Sequence, residues 1–427
     1  MKTRSNLTRR RFLQCTGAFT AAVPILVPAS ALGRDGAAPS ERITVGHVGC
    51  GCKGGYRDVY YGSLLQECAG NPGVRSLAVC DVDSTARGRA KDYVDRQYGN
   101  RDCAAYNDFR EVLARADIDA VVIATPEHWH GVHAVMACRA GKDVYCEKPL
   151  ALTVREARAI ATTARRYGRV VQTGSQSRSM GRLRHGCEVV RSGRIGRVRL
   201  VYAQNWGVRA PDNTTYPPEP VPSYLDWDLW LGPAPWRPCN RVYYTRGWMN
   251  VLDFSGGGMT DWGAHHFDLA QWGLGKDHTG PVEVFPPGHD GLPGGVSFRY
   301  ADGAVVVHNG GGDGVTFFGE TGKVWLKALD GLTRFEPAEL ARDLSPPELR
   351  TSGNRGHVQN FIDCVKSRAK PNADVEIGCR SATVCHLGNI CYRLKRPLRW
   401  DPDSEQFVGD EEANRLLFRP LREPWQI

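Results

Sequence analysis

The stretch that decides the fold is ITVGHVGCGCKG, residues 43–54. Its first six residues are mostly β-branched or apolar and predict a buried strand over Ile43–Val48. The glycines that follow have the spacing G-x-G-x-x-G, and a helical pattern continues through about Cys68. A strand, such a loop and a helix in this order are typical of a dinucleotide site, because the glycines permit the tight turn and the close approach of a pyrophosphate. The cofactor-binding residues expected here are Gly49, Cys50, Gly51, Cys52, Lys53 and Gly54.

The second predicted strand, Val74–Cys80, ends at Asp81. A carboxylate at this place accepts hydrogen bonds from both ribose hydroxyls and repels a 2′-phosphate, which favours NAD over NADP. The alternative is that Asp81 is a solvated turn residue at a strand end.

The same alternation of strands and helices continues to residue 173. Strands are predicted at 119–125, 143–146 and 169–173, and helices at 128–139 and 153–167. This order predicts a parallel, doubly wound sheet, in which ligands bind at the carboxyl ends of the strands. The further cofactor contacts expected at that edge are Thr125, Pro126, His130, Glu147 and Lys148. A metal site formed by His128, His130 and His133 is the less favoured alternative to a helix N-terminus near the cofactor.

Lys148 is also a catalytic candidate. It follows a buried strand and precedes a proline that restricts its backbone. A lysine held near the nicotinamide can hydrogen-bond a substrate hydroxyl and stabilise developing alkoxide charge.

After residue 171 strand-like runs recur without regular helices between them, which predicts a largely antiparallel sheet. The runs are 198–204, 295–300, 304–308, 314–318 and 323–327. Tryptophans and prolines concentrate in 206–248, a segment expected to wall a pocket.

The strongest constellation of the second half is Gly256-Gly257-Gly258-Met259-Thr260-Asp261-Trp262-Gly263-Ala264-His265-His266-Phe267-Asp268. A helix is predicted after the glycines, to about Trp272. On it Asp261 and His265 are i,i+4 neighbours and Asp268 shares their face, whereas His266, a weaker substrate candidate, points a quarter-turn away. An aspartate beside a histidine can fix its tautomer, which suits a general base for an alcohol. The alternatives are a core histidine or a metal site of Asp261, His265 and Asp268.

The N-terminus is predicted to be an export signal. Residues 1–31 hold five basic residues and no acidic one, and they supply five of the nine net positive charges. Arg9 and Arg10, followed by x-Phe-Leu, resemble the twin-arginine (Tat) signal, and the apolar run 18–27 is too short for a permanent membrane span. We therefore expect recognition by the Tat machinery, cleavage after Ala31, a linker at 32–41 and a periplasmic location. The remaining charge is spread thinly, so a nucleic-acid partner is not expected.

Taken together, these residues resemble the glucose–fructose oxidoreductase/inositol dehydrogenase/rhizopine-catabolism (Gfo/Idh/MocA) family. The resemblance covers essentially the whole chain after the signal. It is carried by Gly49–Gly54, Thr125–His130, Glu147-Lys148-Pro149, Asp261-x-x-x-His265 and the closing stretch from Gly356-His357 to Asp401-Pro402.

The resemblance implies an α/β fold, with an N-terminal Rossmann domain at 42–168 and a C-terminal α/β domain with a largely antiparallel open sheet at 169–427. It implies that Lys148, Asp261 and His265 are catalytic and meet at the nicotinamide of NAD, with no metal. His265 would take the proton of a sugar or polyol hydroxyl, Asp261 would orient His265, and Lys148 would steady the substrate oxygen. Homodimers or tetramers are expected. Because flat aromatic faces and arginine forks suit polyols, Arg178, Trp206 and Tyr244 are candidate contacts of such a substrate.

Two alternatives to a dehydrogenase stay open. Some members of the wider family are NAD-dependent glycosidases that recycle their cofactor in each turnover, although they tend to lack the lysine of the Glu-Lys-Pro triplet. A sugar or NAD(H) sensor without catalysis is the other, and the intact set Lys148, Asp261 and His265 argues against it.

Overall fold

Two β-sheets organise the chain in the computed structural model. The structure describes residues 41–51, 63–205, 212, 214–289, 291–311, 314–342 and 353–427. The predicted signal peptide, nearly all of the linker and the loop residues Cys52, Lys53 and Gly54 lie outside these ranges. All contacts described below lie within the compact unit Ile43–Ile427.

The first sheet is entirely parallel, as predicted, and has the strand order β3-β2-β1-β4-β5-β6. Its strands are β1 Ile43–Val48, β2 Val74–Cys80, β3 Ala104–Tyr106, β4 Ala120–Ile123, β5 Asp143–Cys146 and β6 Val171–Thr173. β4 and β5 are buried at every position, as expected for parallel strands covered on both faces. Since β6 belongs to this sheet, the sheet continues past the domain boundary predicted at residue 168.

Helices alternate with these strands. They are α1 Ser63–Ala69, α2 Ser84–Tyr98, α3 Phe109–Ala114, α4 Glu127–Arg139 and α5 Val154–Arg166. The sequence analysis did not assign α2, β3 or α3, although α2 has strong end signals. Asp83 caps its start by accepting the backbone N–H groups of Thr85 and Ala86, and Gly99 ends it with a φ of 66°.

The second sheet has nine strands in the order β13-β12-β11-β7-β10-β9-β8-β14-β15. They are β7 Leu200–Ala203, β8 Glu283–Phe285, β9 Ser297–Arg299, β10 Val305–His308, β11 Val315–Phe318, β12 Lys323–Lys327, β13 Leu332–Glu336, β14 Leu398–Asp401 and β15 Gln406–Phe407. All pairs that involve neighbouring strands are antiparallel except β7–β10, which is parallel. The prediction of a largely antiparallel sheet is therefore confirmed.

The remaining helices surround the second sheet and join it to the first. They are α6 Gly181–Arg191, α7 Trp227–Leu231, α8 Arg241–Tyr244, α9 Gly258–Asp261, α10 Gly263–Gly273, α11 Gly353–Ser367, α12 Val375–Leu394 and α13 Glu411–Arg415, with 3-10 turns at Gln176–Ser179, Arg246–Asn250 and Ala338–Ala341. α12 connects the two cores: Val375 and Cys379 pack with the first sheet, whereas Leu387 and Cys391 pack with the second.

The helix predicted over the glycine-rich stretch is two helices rather than one. α9 ends at Asp261 and α10 begins at Gly263, so Trp262 separates the aspartate from the histidines. The twelve described cysteines are all buried and free, as small apolar residues of the core. None of the helices within the described ranges has the length and apolar character needed to cross a membrane.

Candidate active site

The carboxyl ends of β1, β2, β4 and β5 open into a cavity of about 470 Å³. Every predicted cofactor residue that the structure describes lines it: Gly49, Cys50, Gly51, Asp81, Thr125, Pro126, His130, Glu147 and Lys148. The second half of the chain contributes Asp261 and His265 to the same cavity. The structure thus brings the three predicted catalytic residues and the dinucleotide loop to one place.

The two described glycines of the loop leave little or no room for a side chain. Gly49 has a φ of 84°, and a Cβ there would lie 2.8 Å from the backbone of Ala124 and Thr125. A Cβ at Gly51 would lie 3.1 Å from Asp81 Oδ2. A bare backbone between β1 and β4 is what close approach of a pyrophosphate requires.

Asp81 accepts a hydrogen bond from the loop backbone and also lines the cavity, where a ligand can reach it. Its Oδ2 accepts the backbone N–H of Cys50 at 2.7 Å, and its Oδ1 accepts that of Asp83 at 2.9 Å. Burial raises the pKa of this carboxyl. A carboxylate has about four acceptor positions, so Asp81 can accept a further hydrogen bond from a ribose hydroxyl.

Lys148 and Asp261 form a buried ion pair across the cavity wall. Lys148 follows β5 and is 8% exposed. Its Nζ donates to the Asp261 main-chain oxygen at 2.9 Å and pairs with the Asp261 carboxylate. The sequence predicts that Asp261 orients His265. The ion pair gives Asp261 a further role, because it fixes the Lys148 ammonium group at the cavity.

His265 and His266 point in different directions. His265 lines the cavity, whereas His266 does not, and the His266 Nδ1 lies 3.1 Å from Asn205 Oδ1. The predicted separation of the two rings therefore holds in spite of the break at Trp262. His266, a weak substrate candidate from the sequence, is not placed at the cavity.

Arg178 and Asp268 belong to the core and not to the cavity. Arg178 is 2% exposed and Asp268 is fully buried, and the Arg178 Nε donates to both carboxylate oxygens of Asp268 at 2.8 and 2.9 Å. Arg178 also pairs with Asp277. Because Arg178 is buried away from the cavity, the prediction that it contacts a sugar is corrected. The prediction that Asp268 forms a group with Asp261 and His265 is corrected for the same reason. No cluster of three or more His, Cys, Asp or Glu in the described part of the chain could hold a metal ion.

An aromatic wall lines the cavity. It consists of Tyr224, Trp230, Tyr244, Trp248 and Trp262. Tyr244 was a candidate sugar contact and reaches the cavity, whereas Trp206 lies outside the described residues. The sequence predicts that residues 206–248 wall a pocket, but it does not identify the individual side chains Tyr224, Trp230, Trp248 and Trp262. The residue type of a tryptophan in a loop-rich segment does not indicate where its side chain points.

The histidines of α4 differ in their surroundings: His128 packs in the core, whereas His130 and His133 line the cavity. The His128 Nε2 donates to Trp230 O at 3.0 Å, and burial lowers the pKa of His128 to about 3. His133 stacks on Trp129 with ring centroids 4.4 Å apart. His130 lines the cavity, and its ring nitrogens lie within 3 Å of the carbonyl oxygens of Thr125 and Pro149. The ring thereby connects two of the strand ends that bear predicted cofactor contacts.

A segment of the second half covers the cavity near Asp81. This cover segment, residues 222–232, forms an antiparallel bridge between Leu225 and Asp83. Ser84 N donates to Tyr224 O at 2.8 Å, and Asp226 N donates to Val82 O at 3.0 Å. The Asn107 Nδ2 donates to Asp226 Oδ2 at 2.9 Å. The backbone after Asp81 is therefore paired directly with a wall of the cavity.

Comparison with known proteins agrees with this arrangement. Residues 43–175 match the oxidoreductase family with an NAD-binding Rossmann fold, and residues 189–427 match the C-terminal α/β domain of the same family. The chain belongs to the Gfo/Idh/MocA oxidoreductase family. As a member of that family, it has an NAD-binding Rossmann domain, and the glycines and Asp81 described above fit that cofactor.

Curated relatives of this Gfo/Idh/MocA protein include glycosidases. It is 33% identical over 181 residues to glycosyl hydrolase family 109 protein 1 from Shewanella sp. (strain ANA-3). It is also 33% identical over 180 residues to an α-N-acetylgalactosaminidase from Shewanella oneidensis. Each match spans 38% of this chain and 38% of the relative.

Solved structures share the fold of this Gfo/Idh/MocA protein. The WlbA dehydrogenase from Bordetella pertussis, in complex with NADH and UDP-GlcNAcA, is 19% identical with a TM-score of 0.58, and the match covers 84% of this chain and 99% of that one. The aldose-aldose oxidoreductase from Caulobacter crescentus, complexed with glycerol, is 19% identical with a TM-score of 0.57 and the same coverage. These low identities establish the fold only.

Proposed function

We propose that this Gfo/Idh/MocA oxidoreductase transfers hydride between a hydroxyl-bearing carbon of a sugar or polyol and tightly bound NAD(H). The observation that carries the proposal is the meeting of Lys148, Asp261 and His265 in the cavity that the dinucleotide loop lines. Bound NAD would supply the hydride acceptor or donor. The chain's own residues would then have to bind the alcohol, move its proton and exclude water.

The proton and the oxygen of the alcohol are assigned to different side chains. His265 would accept the hydroxyl proton as the general base. The Lys148 ammonium group would donate a hydrogen bond to the substrate oxygen and stabilise the negative charge that develops there. Asp261 holds that ammonium group through the buried ion pair, so the donor would be oriented before the substrate arrives.

The aromatic wall supports a carbohydrate-like substrate. Tyr224, Trp230, Tyr244, Trp248 and Trp262 present flat apolar surfaces with polar edges. The C–H face of a sugar ring packs against such surfaces while its hydroxyls remain available to Lys148 and His265. The WlbA dehydrogenase and the aldose-aldose oxidoreductase, which share the fold, were crystallised with a sugar nucleotide and with glycerol.

A redox-neutral reaction is the second candidate. Its support is the 33% identity to an α-N-acetylgalactosaminidase over 180 residues. In such a reaction NAD would take a hydride from the sugar, and the resulting NADH would return it to the sugar product after bond cleavage. A donor to the oxygen that becomes a carbonyl suits both reactions, so the Lys148–Asp261 pair alone does not separate them. The presence of Lys148 favours simple alcohol oxidation, because the glycosidases of the wider family tend to lack the lysine of the Glu-Lys-Pro triplet.

We also propose that NAD(H) remains bound after the protein is exported as a homo-oligomer. The support for retention is the cover segment, which lines the cavity and is bonded through its backbone to Val82 and Ser84 next to Asp81. The support for export is the resemblance of residues 1–31 to a twin-arginine signal, a route that carries folded proteins.

A panel of polyols, aldoses and aryl glycosides tests the function. The redox state of the bound cofactor and the organic products are followed together in the same samples. Oxidation of a polyol or aldose with accumulation of reduced cofactor supports the dehydrogenase reaction. Release of the aryl group without net reduction supports the redox-neutral reaction, and no change with any compound contradicts both.

A further inference from the structure

Glu127 is a buried carboxylate that the proposed reaction does not yet use. It is the first residue of α4 and lies four positions after Ile123, the last residue of β4. It is 3% exposed and lines the cavity. Burial of a carboxylate costs free energy unless hydrogen-bond donors surround it. The segment that supplies these donors is therefore the segment that Glu127 holds in place.

All three donors within hydrogen-bond distance come from the glycine-rich turn before Asp261. The Ser255 hydroxyl donates to Glu127 Oε1 at 2.7 Å. The backbone N–H of Gly256 and the hydroxyl of Thr260 both donate to Oε2 at 3.0 Å. One side chain of the first sheet's edge therefore binds both ends of the turn that presents Asp261.

The turn needs an external anchor. Residues 256–258 are all glycine, and Gly257 has a φ of 69° that other residues rarely adopt. α9 is only four residues long and supplies little support of its own. A second anchor, the Asn389 side chain, holds the Gly256 carbonyl from the α12 side.

We infer that Glu127 is a positioning residue that fixes Asp261 and, through the ion pair, Lys148. The glycine-rich turn is then held from two adjacent strand ends. Glu127, after β4, accepts hydrogen bonds from Gly256 and Thr260, and Lys148, after β5, pairs with the carboxylate of Asp261. This inference rests on the proposed function for its catalytic consequence, but the anchoring itself is a property of the protein without substrate.

Positioning can be separated from proton transfer by the glutamine variant. In Glu127→Gln the amide oxygen still accepts from Gly256 and Thr260, and the amide nitrogen donates to Ser255, whose hydroxyl can reverse. A side chain that acts by hydrogen bonding is thus largely preserved, whereas a carboxyl that exchanges protons is lost. Burial raises the pKa of the Glu127 carboxyl to about 7, so the two roles must be distinguished by experiment.

The test compares Glu127→Ala, Glu127→Gln and the control Glu156→Ala. Glu156 is an equally buried carboxylate on α5 that binds Thr153 and Arg419 and does not line the cavity. Single-turnover hydride transfer, NAD binding and amide hydrogen exchange across residues 255–261 are measured. Misplacement of a catalytic group by about 1 Å costs on the order of 100-fold in rate, so Glu127→Ala is expected to lose about that factor.

The expected pattern has three parts. Glu127→Ala binds NAD within about threefold of the parent, exchanges the Gly256 amide faster and transfers hydride slowly. Glu127→Gln recovers most of the lost rate, and Glu156→Ala changes neither the exchange of this turn nor the rate. If Glu127→Ala does not fold, Thr260→Val removes one donor with little change of shape and should show the same faster exchange and a smaller loss of rate.

Two results would overturn the inference. Equal loss of rate in Glu127→Gln and Glu127→Ala would assign proton chemistry to the carboxyl. Unchanged exchange over 255–261 in Glu127→Ala would show that the turn does not depend on it. A parent protein that oxidises no polyol would contradict the proposed function alone, since the exchange comparison still decides the anchoring.

Discussion

Two adjacent histidines could take the substrate proton, and their surroundings differ. His265 faces the cavity, and His266 faces Asn205 in the core. We predict that His265→Ala slows single-turnover reduction of bound NAD by roughly 10²–10⁴, the usual contribution of a general base, with cofactor binding retained. His266→Ala is the control and should keep its rate. A slow His266→Ala with a normal His265→Ala would reverse the assignment.

Asp81 is expected to determine the choice between NAD and NADP. Removing its carboxylate in Asp81→Ala eliminates the charge that repels a 2′-phosphate and the acceptor for the ribose hydroxyls. Hydrogen bonds to a charged group contribute about 1.5–3 kcal/mol, so we expect roughly 10- to 100-fold weaker NAD binding and reduced discrimination against NADP. Equilibrium binding of both nucleotides to Asp81→Ala and to Asp81→Asn measures this. A parent protein that prefers NADP would contradict the prediction.

Single residues also show where sequence reasoning stops. The strand-end positions of Asp81 and Lys148 follow from local pattern, because parallel strands bring their carboxyl ends to one edge. Arg178 could not be placed in this way, because its partners Asp268 and Asp277 are distant in sequence and only the tertiary fold shows that they pair in the core. Glu127 was quoted in the family resemblance, but its donors lie more than 120 residues away and gave no local signal.

Among the elements, the cover segment is predicted to control release of the cofactor. The Asn107 side chain donates to Asp226 Oδ2. The variant Asn107→Asp would replace this donor by a carboxylate that faces the carboxylate of Asp226. Like charges in contact cost up to several kcal/mol, and we expect NADH to dissociate at least about tenfold faster. Asn100→Asp is a matched control, since the Asn100 Nδ2 donates in the same way to Asp102 Oδ2 at 2.7 Å but neither residue lines the cavity. Equal release rates in both variants and the parent would exclude a role for this contact.

The elements that the sequence predicted best are those with strong local patterns. β1, β2, β5 and β12 have the predicted bounds, and α4 begins one residue earlier than predicted. The short strands β3, β8, β14 and β15 were not assigned, because two to four residues do not establish a period of two. The break at Trp262 was also not anticipated, since nothing in its own residue type interrupts a helix.

For the whole molecule, we predict that NAD(H) is purified with the protein. The cover segment lines the cavity and is held in place by C-terminal residues: Arg422 donates to Gly232 O at 2.8 Å, and Trp425 packs on the lining residue Trp129 with centroids 4.7 Å apart. If residues 1–31 direct export of the folded protein, no nicotinamide pool outside the inner membrane would replace lost cofactor. Retention would then require a dissociation constant far below micromolar, beyond about −8 kcal/mol of binding free energy.

The measurement that checks retention is the nucleotide content of the mature protein after extensive desalting, by absorbance and by the mass of what denaturation releases. We expect close to one nucleotide for each chain and a lower melting temperature once it is stripped, because a ligand that binds only the folded state stabilises it by mass action. An enzyme that keeps its cofactor must reoxidise it in place, through a second carbonyl substrate or a redox-neutral reaction. Protein that is empty after desalting, and that releases NADH stoichiometrically only when millimolar NAD is added, would contradict retention and assign the chain to ordinary dehydrogenases that exchange their cofactor in every turnover.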